Sequence, residues 1–109
     1  MQRTAMIERN TKETHISLTL GLQSYSAENQ IDSGLPFMDH MLEAFAKHGK
    51  FKLNLTCKGD LQVDAHHTME DLGIALGQAC KQALGDKRGI TRFGACILPM
   101  DGSLARVTI

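Results

Sequence analysis

The sequence predicts an α+β fold, a mixed β-sheet with two helices packed on one face. Three observations predict it. Short runs alternate apolar and polar residues with period two, as in Thr14-His15-Ile16-Ser17-Leu18-Thr19-Leu20, the pattern of a half-buried strand. Two longer runs repeat their apolar residues at helical spacing. The two kinds of run interleave as β-β-α-β-α and then β-β, which layers helices on a sheet. At 109 residues the chain is expected to form a single domain with a modest core.

In chain order, the first strand is expected at residues 3–9. The stretch Asn10-Thr11-Lys12-Glu13 then supplies a turn into the strand at 14–20. Residues 24–34 are polar and read as a mobile loop. Pro36 suits a first helical turn, and Met38, Met41, Leu42, Phe45 and Ala46 follow at helical spacing until His48-Gly49, predicting a helix over 36–48. Residues 51–57 alternate as a strand. Lys58-Gly59-Asp60 reads as a turn, with a short strand at 61–64. The second helix is expected from His66 to Leu84, with Leu72, Leu76, Ala79, Cys80 and Ala83 on one face and Gly85 as its stop. Glu70 and Asp71 near its start suit the positive end of the helix dipole. Strands at 93–98 and 104–109 close the chain. The helices are expected to meet the sheet through Leu42, Phe45, Leu72, Leu76 and Cys80. Shifting the sequence by 89 positions lays Arg92 on Arg3 and Thr108 on Thr19. That divides the chain into a first repeat unit, 1–87, and the opening hairpin of a second, 88–109.

Composition excludes several function classes. Twelve basic and twelve acidic residues cancel, so no broad field favours nucleic acid or an acidic membrane surface. Aromatic content is 5% with no tryptophan, which argues against base-stacking platforms. No apolar run approaches the ~20 residues needed to span a bilayer. Met1-Gln2-Arg3-Thr4 opens a charged stretch unlike a secretory signal. Cys57, Cys80 and Cys96 are odd in number and sit in apolar patterns, so buried free thiols in a reducing, cytoplasmic setting are expected.

The most informative segment is Asp64-Ala65-His66-His67-Thr68-Met69-Glu70-Asp71. On a helix, at 100° per residue, His66 and Glu70 project from nearly one line a turn apart. His67 points about 100° away. His66 and Glu70 can therefore grip one metal while His67 reaches another. The second motif is Phe37-Met38-Asp39-His40-Met41-Leu42-Glu43, and the chain holds five histidines in all. Imidazole with carboxylate suits manganese, iron, zinc or nickel, and with no cysteine nearby a structural thiolate zinc site is not expected. An isolated histidine is ordinarily a surface or half-buried residue satisfied by an acid. A His-His-x-x-Glu pattern accompanied by an Asp-His motif reverses that balance.

Taken together, Asn10-Thr11-Lys12-Glu13-Thr14, Phe37-Met38-Asp39-His40-Met41-Leu42, His66-His67-Thr68-Met69-Glu70-Asp71, Gly85-Asp86-Lys87-Arg88-Gly89-Ile90-Thr91-Arg92-Phe93-Gly94 and Pro99-Met100-Asp101 resemble the imidazoleglycerol-phosphate dehydratase family over nearly the whole chain. The resemblance implies a lyase of histidine biosynthesis that removes water from imidazole glycerol phosphate to give imidazole acetol phosphate. It implies a duplicated unit of sheet plus two helices, each like the second domain of a small-subunit ribosomal protein. It further implies a large symmetric assembly with two Mn²⁺ ions per site.

Residue by residue, the resemblance makes His66 and Glu70 ligands of one manganese, and His40 and His67 ligands of the other. Glu13, His40 and Glu70 become the catalytic set; Glu13, His66, His67 and Arg92 become substrate-binding. Two cations flanking the ring would stabilise an imidazolate and a diazafulvene-like intermediate. Glu13 would polarise or protonate the departing hydroxyl, and Arg92 would bind the anionic substrate. Without the resemblance, Arg92 reads as a solvated loop charge and Glu13 as a turn carboxylate. Family enzymes are roughly twice this length, with a second His-His-Glu motif, and Gly102 stands where they usually carry glutamate. The expectation is a half-enzyme that is either active as a homo-oligomer with sites shared between chains, or a metal-binding assembly unit without turnover. A third reading, an unrelated di-metal hydrolase, requires the motif match to be accidental.

Overall fold

The computed structural model describes residues 2–25 and 27–109; the parts of the N-terminal and 24–34 expectations that fall on Met1 and Ser26 lie outside them. The chain runs β1 (Thr4–Asn10), β2 (Thr14–Gly21), β3 (Ile31–Asp32), α1 (Pro36–Gly49), β4 (Lys52–Gly59), α2 (His66–Leu84), β5 (Ala95–Met100) and β6 (Ser103–Thr108). The first four strands form one sheet in the order β1-β2-β4-β3. It is mixed, because β3 lies parallel to β4 while the other pairs are antiparallel.

Register explains which residues make the core. In β1 and β2, Ala5 faces Leu20 and Ile7 faces Leu18. Across the next ladder Ile16, Leu18 and Leu20 face Cys57, Leu55 and Leu53. Side chains alternate across a strand, so these partners share one face, and all six of the β2 and β4 residues are buried. Both helices cover that face. A cavity of about 150 Å³ is lined by Leu18 and Leu55 from the sheet, Met38 and Leu42 from α1, and Met69 and Leu72 from α2. α2 approaches the sheet closely because Ala75, Ala79 and Ala83, at spacing four, are buried.

Sequence expectations hold for α2, whose bounds coincide with the predicted ones, and for both hairpins to within two residues. Several others are corrected. The 24–34 loop contains β3, whose Ile31 pairs with Leu55. Lys58 and Gly59 belong to β4 because His15 and Thr14 pair with them, so the turn starts at Asp60. No strand forms at 61–64: Val63 donates its N–H to the Asp60 carbonyl at 2.9 Å and is exposed, and local turn geometry wins over a two-residue alternation. Phe45 is 43% exposed. α1 is rotated so that Met38, Leu42 and Ala46 face the sheet, and the Phe45 ring packs on Phe51 at a centroid distance of 5.1 Å. Of the thiols, Cys57 is buried, Cys80 half-buried and Cys96 exposed; burial pushes the first two up from the ordinary range.

At the end of α1 it is Lys50, with φ 58°, that takes the left-handed conformation, not the glycine before it. Gly49 answers a different constraint, since a Cβ there would lie 2.4 Å from the Phe51 ring. β5 and β6 form a separate two-stranded sheet whose residues are all exposed. Its register reproduces that of β1 and β2 shifted by 89 positions: Met6 faces Thr19 as Ala95 faces Thr108, and Ile7 faces Leu18 as Cys96 faces Val107. The linker before it is tied back by Arg3, whose Nη2 donates to the Arg88 carbonyl.

Candidate active site and metal ligands

One end of the sheet gathers three segments. β2 begins at Thr14 opposite Gly59, the last residue of β4. Glu13 and Asp60 therefore leave the sheet side by side. The chain then turns once and enters α2 at His66. Close approach makes glycine necessary at 59. A Cβ there would lie 2.0 Å from Thr68 Oγ1 and 3.5 Å from Thr14 Cγ2, so the two strand ends and the first turn of α2 are in van der Waals contact.

The histidine motif opens α2 as the spacing requires. Asp64 accepts the His66 N–H at 2.8 Å, supplying the helix start with an acceptor. His66 Nε2 lies 3.0 Å from Glu70 Oε2, so a nitrogen and an oxygen donor converge from adjacent turns, both in solvent reach. His67 points elsewhere. Its Nδ1 meets Asp60 Oδ2 at 2.7 Å, and its ring lies 5.5 Å from that of His66. The Asp60 hydrogen bond, opposed by partial desolvation and helped by the charges of Asp60, Glu13 and Asp64, raises the His67 pKa above its ordinary value. A carboxylate on Nδ1 fixes the tautomer and leaves Nε2 to face outward, as for a metal-bound imidazole and its orienting acid. Among the described residues Asp60 Oδ1 is buried without a partner, while Oδ2 meets His67.

The neighbouring acid is used differently. Asp71 turns inward and accepts from Thr14 Oγ1 at 2.5 Å, Arg9 at 3.2 Å and Thr11 Oγ1 at 3.4 Å. The Thr14 hydrogen bond first, then Arg9, holds its pKa below the usual carboxylate value against the cost of burial.

The predicted site residues divide into those the structure gathers and those it does not. His66, His67 and Glu70 share the first turns of α2, and exposed Glu13 stands at the same end. His40 is exposed on α1. Among the described residues no three His, Cys, Asp or Glu side chains close around one ion. The donor chemistry fits a divalent metal, as an imidazole–carboxylate pair beside a carboxylate-oriented imidazole, but the chain offers partial shells. Arg92 lies past the opposite end of α2, its guanidinium 5.7 Å over the Phe93 ring. Nineteen helical residues separate the two ends by about 27 Å at 1.5 Å per residue. Sequence reasoning missed Asp60 and Asp71 as partners of the site, because a turn acid and a helix-dipole acid have the same appearance in sequence.

No helix among the described residues is long and apolar enough to cross a membrane. Comparison with known proteins gives a consistent picture. The imidazoleglycerol-phosphate dehydratase family profile matches residues 33–109. The chain is 56% identical over its full length to the imidazoleglycerol-phosphate dehydratase of Pelobacter propionicus and 58% identical over 98% of its length to that of Lacticaseibacillus casei. It spans 55% of the length of each. Among solved structures, the imidazoleglycerol-phosphate dehydratase of Staphylococcus aureus superposes with a TM-score of 0.79 at 30% identity, covering 96% of this chain and 56% of that one. The Pyrococcus furiosus structure gives 0.72 at 36% identity, covering 94% and 52%.

Proposed function

We propose, from the premise that this chain belongs to the imidazoleglycerol-phosphate dehydratase family, that it takes part in dehydrating imidazole glycerol phosphate to imidazole acetol phosphate in histidine biosynthesis. The observation that carries the reading is the convergence of His66 Nε2 and Glu70 Oε2, 3.0 Å apart, beside an Asp60-oriented His67. His66 and Glu70 would hold one manganese ion, and His67 and His40 would serve another. When bound, such ions supply positive charge beside the substrate imidazole and ease loss of the adjacent C–H proton.

The protein's own groups supply the rest. Asp60 keeps the His67 Nδ1 proton engaged, so that Nε2 is the free donor. Glu13, exposed at the end where β2 and β4 meet α2, would carry the proton lost from the C–H bond to the departing hydroxyl, which leaves as water. Arg92 gives a planar, charge-assisted grip on the substrate phosphate. Its separation of about 27 Å along α2 supports a role at a site built on another chain. The partial metal shells support the same arrangement. Manganese prefers about six ligands, and a second copy about a two-fold axis would bring each ion His66 and Glu70 from one chain with His40 and His67 from its neighbour. We read 1–87 as one repeat unit and 88–109 as the opening hairpin of a second, supported by the shared register of the two hairpins.

A second reading, a metal-binding assembly unit without turnover, is favoured by the partial shells. Dehydration of imidazole glycerol phosphate by the purified chain, with and without Mn²⁺, separates the two. Manganese-dependent product supports the first reading, and bound manganese without product supports the second.

A further inference from the structure

We propose that Asp71 and Thr14 are positioning residues that clamp the turn carrying Glu13 against the first turns of α2. This rests on the functional reading given to Glu13 above. The geometry is specific. Asp71 directly follows Glu70, yet the residue is buried at 8% exposure, on the sheet side of the helix. It accepts from Thr14 Oγ1 at 2.5 Å, from Thr11 Oγ1 at 3.4 Å and from Arg9 at 3.2 Å. One carboxylate thus holds the end of β1, the turn and the start of β2.

Thr11 completes the connection, since its hydroxyl accepts the N–H groups of Glu13 at 3.1 Å and Thr14 at 3.0 Å. From α2 the chain of contacts runs Asp71, Thr11, Glu13 backbone. Glu13 lies with Lys12 between the anchored Thr11 and Thr14, its own N–H held by Thr11 and its side chain left in solvent. Thr14 is fully buried, and its methyl sits beside Gly59, so the hydroxyl has little freedom to turn elsewhere. A short turn would otherwise be free to shift relative to the helix. Fixing it through a buried, charge-assisted hydrogen bond sets the placement of Glu13 toward His66, His67 and Glu70. Glu70 and Asp71 then have separate tasks, one presented outward as a ligand and the other inward as the clamp.

The test uses the full ¹⁵N-labelled chain with Thr14→Val, Thr14→Ser and Asp71→Asn. In Thr14→Val and Asp71→Asn, amide exchange at Thr11, Glu13 and residue 14 should quicken about tenfold, the scale of one net hydrogen bond, while amides in 72–84 stay protected. Thr14→Ser, which keeps the hydroxyl, should match wild type. In wild type and Thr14→Ser, added Mn²⁺ should broaden the Glu13 amide resonance; in the other two variants that broadening should fall severalfold with Mn²⁺ affinity retained. Unchanged exchange and unchanged broadening in Asp71→Asn would overturn the proposal, and so would failure of Thr14→Ser to match wild type. If Thr14→Val does not fold, Asp71→Asn against Thr14→Ser decides. If wild type binds no Mn²⁺, the metal reading fails and the exchange measurement alone decides the clamp.

Discussion

Gly59→Ala is the sharpest single perturbation of the junction between sheet and site. The added Cβ would sit 2.0 Å from Thr68 Oγ1 and 3.3 Å from Thr68 Cβ. Ordinary contact needs more than an ångström of extra room, and neither side can give it freely. Gly59 is locked in register with Thr14, and Thr68 is fully buried in the first turn of α2. Overpacking of this kind costs about 1–3 kcal/mol. The displacement would also fall on the neighbouring 2.7 Å contact between His67 and Asp60. Thr68→Ala offers relief. The hydroxyl it removes is buried without a partner among the described residues, so that change alone costs about 1 kcal/mol, chiefly for the lost methyl. In the double variant most of the Gly59→Ala penalty should disappear, giving a coupling of about 1–2 kcal/mol. Urea denaturation of the four proteins measures each value. An equal cost of Gly59→Ala with Thr68 or alanine at position 68 would refute the close-approach argument.

Asp60→Asn should leave the fold intact and lower Mn²⁺ affinity by about 10–100-fold, the usual effect of removing a carboxylate behind a ligating imidazole; Mn²⁺ electron paramagnetic resonance titration measures it. The same assay against pH should show affinity falling as pH drops through the His67 pKa, because the proton and the metal compete for Nε2. The Asp60 hydrogen bond raises that pKa above 6.5, so the loss should begin above this value in wild type and at lower pH in Asp60→Asn. In the core, Leu53→Ala at a fully buried position should cost about 2–5 kcal/mol. Phe45→Ala, losing a half-exposed ring and one aromatic contact, should cost only about 1–2 kcal/mol. Equal losses would contradict the observed rotation of α1.

The legible parts of the fold were those where one local pattern decides the outcome. Alternation in β2 and β4 marked the core face, and the His66–Glu70 spacing predicted a contact that the structure places at 3.0 Å. What the sequence did not reveal depends on partners distant in the chain. β3 has two residues and exists because β4 offers an edge to Ile31 and Asp32. The Leu61–Val63 alternation had no strand to pair with. Phe45 and Ala46 are adjacent apolar residues in one helix, and only the tilt of α1 on the sheet decides which is buried. Asp60 and Asp71 gained their roles from side chains seven and fifty-seven positions away, beyond any local pattern.

In the proposed assembly, manganese would be held by His66 and Glu70 of one chain together with His40 and His67 of another. Sedimentation of the purified chain at micromolar concentration, with metal content determined on the same fractions, tests it most directly. The account predicts that manganese travels with an oligomer and that a His66→Ala, His67→Ala double variant loses both the metal and the metal-dependent assembly. A monomer that retains stoichiometric manganese would contradict it.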